Sequence, residues 1–199
     1  METLWDWRRQ MADLYARVRA AGDPRVAWAD WRATRDRLFG GHPDTPLDAP
    51  AAFTGLPYFD YDPGLRFAVT LAAVNGAALN LPAGGDGTLQ LQPFARTNGL
   101  AGAMGKELTL YWLAGYGGGV FLPFADATSG KQSFGAGRYL LDTIKSADLG
   151  ADAAGRTILD FNFAYNPSCA YSARWICPLA PAENRLSVVV AAGEMAPAG

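Results

Sequence analysis

"LTLYWLAGYGGGVFLPF", residues 108–124, is the stretch on which the fold turns. Leu108, Leu110 and Trp112 alternate with Thr109 and Tyr111, a period of two that belongs to an extended chain with two opposite faces. The glycine-rich AGYGGG at 114–119 then supplies a turn, and VFLPF resumes the apolar pattern, so the stretch reads as an antiparallel hairpin.

The same period recurs on both sides. Upstream, Leu65, Phe67, Val69 and Leu71 alternate with smaller or polar neighbours, and Leu89 and Leu91 alternate with Thr88, Gln90 and Gln92. Downstream, RYLLDTI (138–144), RTILDFNF (156–163) and RLSVVVAA (185–192) have strand composition. At least seven short, half-buried antiparallel strands separated by turn signals predict a mainly β fold, a sandwich or a barrel.

The N-terminal part has a different period. Leu4, Trp7, Met11, Leu14 and Val18 step by three and four, with arginines and Asp13 between them, which predicts an amphipathic helix stopped at Gly22. Asp23 and Pro24 read as N-cap and first residue of a second helix carrying Trp28, Trp31 and Leu38 and ending at Gly40–Gly41. Both helices are expected to pack on the sheet as a lid. Residues 42–64 are broken by Pro, Gly and Asp, yet Phe53, Leu56, Tyr58, Phe59 and Tyr61 would be costly to leave in water, so an ordered wrap is expected. The chain is therefore read as a single domain, 1–199, made of a helical segment (1–40), the wrap (42–64) and a β domain (65–195).

Half of the 199 residues are hydrophobic, 18% are charged and the formal net charge is −2. That balance suits a packed core and offers no basic stripe for a phosphate backbone, so no nucleic-acid partner is expected. The first residues lack the unbroken apolar stretch of a signal peptide, and no run reaches the roughly 20 apolar residues of a membrane span. A soluble, cytoplasmic protein with no membrane partner is the expectation, and in that compartment its two cysteines are expected as thiols.

Two stretches could carry chemistry. In "DATSGKQSFGAGRY" (126–139), hydroxyls, glycine N–H groups, Lys131 and Arg138 could hold an anion, although the spacing is not that of a phosphate loop. Alternatively, Asp126 caps a turn while Arg138 pairs with an internal carboxylate such as Asp142 or Asp160. In "DFNFAYNPSCAYSARWICPLAPAENRL" (160–186), Asp160 and Asn162 share one face if the chain is extended, opposite Leu159, Phe161 and Phe163. Cys169 and Cys177 are spaced too far apart for a structural zinc pair, and His42 is the only histidine, so no metal site is expected. His42 reads as a loop anchor.

At these motifs the sequence resembles the bacterial and archaeal family called domain of unknown function 1684. The resemblance rests on "LPFADATSGKQSFGAGRYLLDT", "LDFNFAYNPSCAY", "CPLAPAENRL" and "AGE", with "WRATRDRLFGGHPDTPL" and "FTGLPYFDYDP" similar to the entry segment, and spans about Trp28 to Glu194. Within it Asp126, Thr128, Arg138, Asp160, Asn162, Asn166, Cys169, Cys177, Glu183 and Asn184 match the family pattern, whereas Ser133, Phe134, Phe163 and Ala180 depart from it. The resemblance supplies a motif map and no mechanism or cofactor.

These ten residues are the candidate site. One reading is a module that binds a small molecule, an anionic ligand among the options, in a pocket lined by Arg138, Asp160, Asn162 and Asn166. A second is an enzyme using Cys169 or Cys177, for which a one-histidine inventory leaves the general base unassigned. A third is a structural or partner-binding domain in which the polar cluster is a buried network with Arg138 and Asp160 in one group.

Overall fold

Asp23 accepts a hydrogen bond from the Arg25 amide and Pro24 follows it, so the second helix starts where its capping residues place it. The computed structural model describes residues 1–82 and 87–197. Helix α1 spans Glu2–Ala20 and α2 spans Pro24–Gly41. Both bury one stripe: Met11, Leu14, Tyr15 and Val18 from α1, and Ala27, Trp28, Trp31, Leu38 and Phe39 from α2. Most of these side chains meet Leu91, Tyr111, Leu113, Phe121 and Tyr139 of the sheet and Phe163 just beyond it, which makes the helix pair the expected lid.

The sheet is antiparallel, in the order β6-β5-β4-β3-β1-β7. Its strands are β1 (Arg66–Ala73), β2 (Leu79–Pro82), β3 (Thr88–Asn98), β4 (Thr109–Leu113), β5 (Gly119–Phe124), β6 (Arg138–Asp142) and β7 (Thr157–Asp160). A short helix, α3 (Ala101–Met104), sits between β3 and β4, and β2 pairs with β3 off the main path. The hairpin forms as read, with Tyr111 opposite Phe121 and Leu113 opposite Gly119. Gly118 has φ +46°, and a Cβ there would lie 2.6 Å from the Trp112 ring, so the turn needs glycine at that position.

Beyond β7 the chain curls back, and Tyr165 exchanges backbone hydrogen bonds with Tyr139 of β6. That exchange joins the two ends of the sheet order into a nearly closed barrel. The interior is filled by Val69, Leu110, Leu122, Phe124, Leu140, Leu159, Phe161 and Val190, among others.

Three expectations are corrected. The strand at 156–163 stops at Asp160, because its side chain accepts the Asn162 amide and turns Phe161–Phe163 into a 3₁₀ turn. RLSVVVAA forms no strand, and β2 was not anticipated. Strands β4, β5 and β6 are also more than half-buried, and every residue of β6 is buried, since one face meets the helices and the other the barrel interior.

Candidate functional site

The motif residues fall into separate groups. Arg138, at the start of β6, is 1% exposed. Its guanidinium donates to Asp126 Oδ1 at 3.2 Å, to the Val190 carbonyl at 2.9 Å, to the Glu194 carbonyl at 3.2 Å and to the Ala192 carbonyl. Asp126 completes the arrangement by accepting the Val190 amide at 2.7 Å and the Thr128 hydroxyl at 2.9 Å, and that hydroxyl lies 2.7 Å from Ser133 Oγ. The turn reading of Asp126 therefore holds, but the carboxylate that pairs with Arg138 is Asp126 itself rather than Asp142 or Asp160. Only Nε of this guanidinium has no partner.

A second buried ion pair crosses from the lid to the barrel. Arg35 of α2 donates through Nε to Glu194 Oε1 at 2.7 Å, and Glu194 Oε2 accepts the Asn166 amide at 2.7 Å and the Tyr171 hydroxyl at 2.6 Å. Gly193 brings the chain close enough: a Cβ there would lie 2.4 Å from the Ala164 carbonyl oxygen. The Asn166 side chain donates to the Met195 carbonyl. Asn184 ties β4 to β5, donating to the Thr109 and Pro123 carbonyls and accepting the Thr109 amide, while Glu183 accepts the Tyr111 hydroxyl.

Asp160 lies apart from Arg138 and is not bonded to it. Asp160 Oδ1 accepts the Asn162 amide and side chain, and Asn162 spends its remaining groups on the Asp62 backbone. Oδ2 is different: it is buried, has no hydrogen-bond partner and faces only Arg66 Nε at 3.5 Å. Burial pushes the carboxyl up to about 6, against the opposing pull of Asn162 and Arg66. The pairing is register-determined, since Arg66 of β1 stands opposite Asp160 of β7.

Asp160 also lines a cleft of about 290 Å³ between the helix pair and the β1–β7 edge. Arg19, Arg66, Arg156 and Asp152 line it as well, over a floor that includes Ala68, Ile158 and Phe163. Arg156 is held by Asp152 at 2.7 Å, and Arg19 donates to the Asp148 carbonyl at 2.8 Å, so two of the three guanidiniums are oriented before any ligand arrives. Sequence reasoning missed all three arginines. Arg35 was missed too, although its place on the buried stripe of α2, four residues after Trp31 and three before Leu38, was a readable signal.

Cys169 and Cys177 are both half-buried thiols beside each other; burial, then the Cys177 hydrogen bond, push Cys169 up to about 12. His42 is not with them. Its Nδ1 accepts the Asp44 amide and its Nε2 faces Asp6, the loop-anchoring role expected. Among the described residues, no group of three or more His, Cys, Asp or Glu is arranged to hold a metal, and no helix is long and apolar enough to cross a membrane.

Fold and site together define a helix-lidded, nearly closed antiparallel barrel whose motif loops fold inward onto buried ion pairs. The chain belongs to the family described as protein of unknown function (DUF1684), whose sequence profile matches residues 51–195. The match begins after WRATRDRLFGGHPDTPL, so that part of the resemblance lies outside it. The solution NMR structure of an uncharacterized protein of Haloarcula marismortui is similar, with 34% identity, 82% of this chain and 89% of that chain covered, and a TM-score of 0.56. No curated protein matches the chain.

Proposed function

We propose that the protein binds a small anionic molecule in the cleft between α1, α2 and the β1–β7 edge. The observation that carries this reading is Asp160, a residue lining the cleft whose Oδ2 is buried and has no hydrogen-bond donor. A folded chain seldom leaves a buried carboxylate oxygen unpaired, because its desolvation goes uncompensated. A ligand hydroxyl or ammonium would supply the missing donor, and the guanidiniums of Arg19, Arg66 and Arg156 would face the ligand's anionic group. The remaining motif residues then serve as staples that fix the loops, which their burial and bonding support.

A thermal-shift screen of small carboxylates, hydroxycarboxylates, amino acids and inorganic phosphate tests the proposal. A true ligand at 100 times its Kd stabilises by about 2.7 kcal/mol, a rise on the order of 5–10 °C for a chain this size. Arg66→Ala should abolish the rise. If no probe shifts the melting temperature, or Arg66→Ala responds like the wild type, the cleft is not the binding site.

A further inference from the structure

The loop from Cys169 to Cys177 has no part in the anion cleft. It leaves the 3₁₀ turn Ser168–Ala170, exposes Arg174, Trp175 and Ile176, and returns to Cys177. At its base, the Cys169 amide donates to Cys177 Sγ at 3.3 Å. Adding the roughly 1.46 Å N–Cα bond puts Cys177 Sγ within about 4.8 Å of the Cys169 Cα, a separation compatible with a disulfide. The rest of the loop is fastened independently of sulfur. Arg174 donates to the Thr45 carbonyl at 3.0 Å, Trp175 Nε1 to the Pro46 carbonyl at 3.3 Å and Tyr139 to the Pro178 carbonyl at 2.8 Å. These anchors therefore hold the cysteines together in the thiol state, and both residues are partly exposed.

We propose that Cys169 and Cys177 form a reversible dithiol–disulfide centre that exchanges with low-molecular-weight disulfides and, when oxidised, cross-links the base of the 170–176 loop. The Cys177 thiolate attacks one sulfur of the reagent R–S–S–R; that S–S bond breaks, and RS⁻ leaves with the electron pair and takes up a proton. Cys169, deprotonated, then attacks the Cys177 sulfur of the mixed disulfide and expels the second RS⁻. Two protons and two electrons pass from the protein to the reagent, giving one protein disulfide and two RSH. The order follows from the geometry: the Cys169 amide N–H, 3.3 Å from Cys177 Sγ, is placed to donate to negative charge on that sulfur as it attacks.

The test treats reduced full-length protein with glutathione disulfide, quenches with an alkylating agent and reads intact mass. Wild type should lose two hydrogens and retain no glutathione. Cys169→Ser should retain one glutathione on Cys177, acquired roughly tenfold faster than Cys177→Ser acquires one on Cys169. Wild type that stays reduced, holds two glutathiones or forms linked dimers overturns the centre, and equal rates in the two variants overturn the order of attack. Melting each variant beforehand shows that it is folded; if either is not, the wild-type mass decides the proposal.

Discussion

Asp126 with Arg138 and Asp160 with Arg66 are the same chemical pair in two settings, one closed and one open. In the first, both side chains are fully buried and both carboxylate oxygens accept hydrogen bonds. In the second, the carboxylate is buried, the Arg66 side chain is 35% exposed, and one carboxylate oxygen lacks a donor. The contrast separates two uses of a buried charge. Where both carboxylate oxygens are bonded, the charge fixes backbone; where one lacks a donor in a residue that lines a cleft, the proposed binding reading has a charge to engage.

The largest expected effect is in the closed region. Arg138→Ala strands the Asp126 carboxylate and leaves the carbonyls of Val190, Ala192 and Glu194 without their donor, so unfolding free energy should fall by about 3–5 kcal/mol. Reversible denaturant unfolding at constant slope measures it. A loss below about 1 kcal/mol together with lost ligand binding would reverse the comparison and place the binding site at Arg138.

That dependence on side chains also explains which parts of the fold could be read in advance. The hairpin at 108–124 and both helices were legible because their partners are regular elements and their periods show it. RLSVVVAA misled for the opposite reason. Leu186, Val190 and Ala192 are buried in alternation as a strand would have them, but the carbonyls of Val190 and Ala192 bond to the Arg138 guanidinium, and the Val190 amide to Asp126, instead of to a neighbouring strand. Alternation records which side chains are buried and says nothing of what pairs the backbone. The site divides similarly. Asp126 and Arg138 stood in one recognisable motif, whereas the Asp160–Arg66 pair depends on β1 lying beside β7, a contact between residues far apart in sequence.

A smaller effect of opposite sign is expected at the open pair. Asp160 has its carboxyl raised from 3.8 to about 6 in the folded protein, so protonation favours the folded state. Its contribution is fully present below about pH 4 and is lost as pH rises through 6, amounting to at most about 3 kcal/mol. Asp160→Asn keeps an acceptor for Asn162 and removes the charge. It should therefore gain about 1–2 kcal/mol at pH 8, flatten this part of the stability profile between pH 4 and 7, and weaken ligand binding. Thermal melts of both proteins across that range check it. A destabilised Asp160→Asn at pH 8 would make Asp160 a staple like Asp126.

The smallest expected change in stability is at Arg66. Because its guanidinium is partly exposed and 3.5 Å from Asp160, the pair is screened, and Arg66→Ala should cost less than about 1 kcal/mol. Its effect appears in titration instead. Arg66 is one of the groups holding Asp160 down against burial, so removing it should move the Asp160 midpoint above 6 and carry the pH window of lost stability upward with it. NMR titration of the carboxyl carbon follows this directly. An unmoved midpoint would mean that Arg66 and Asp160 do not share a field, and the cleft would then lack the coupled acid and base that set it apart from the closed pair. A raised midpoint with nearly unchanged stability is what a charge kept free for a ligand should give, since its partner tunes the carboxylate without holding the fold.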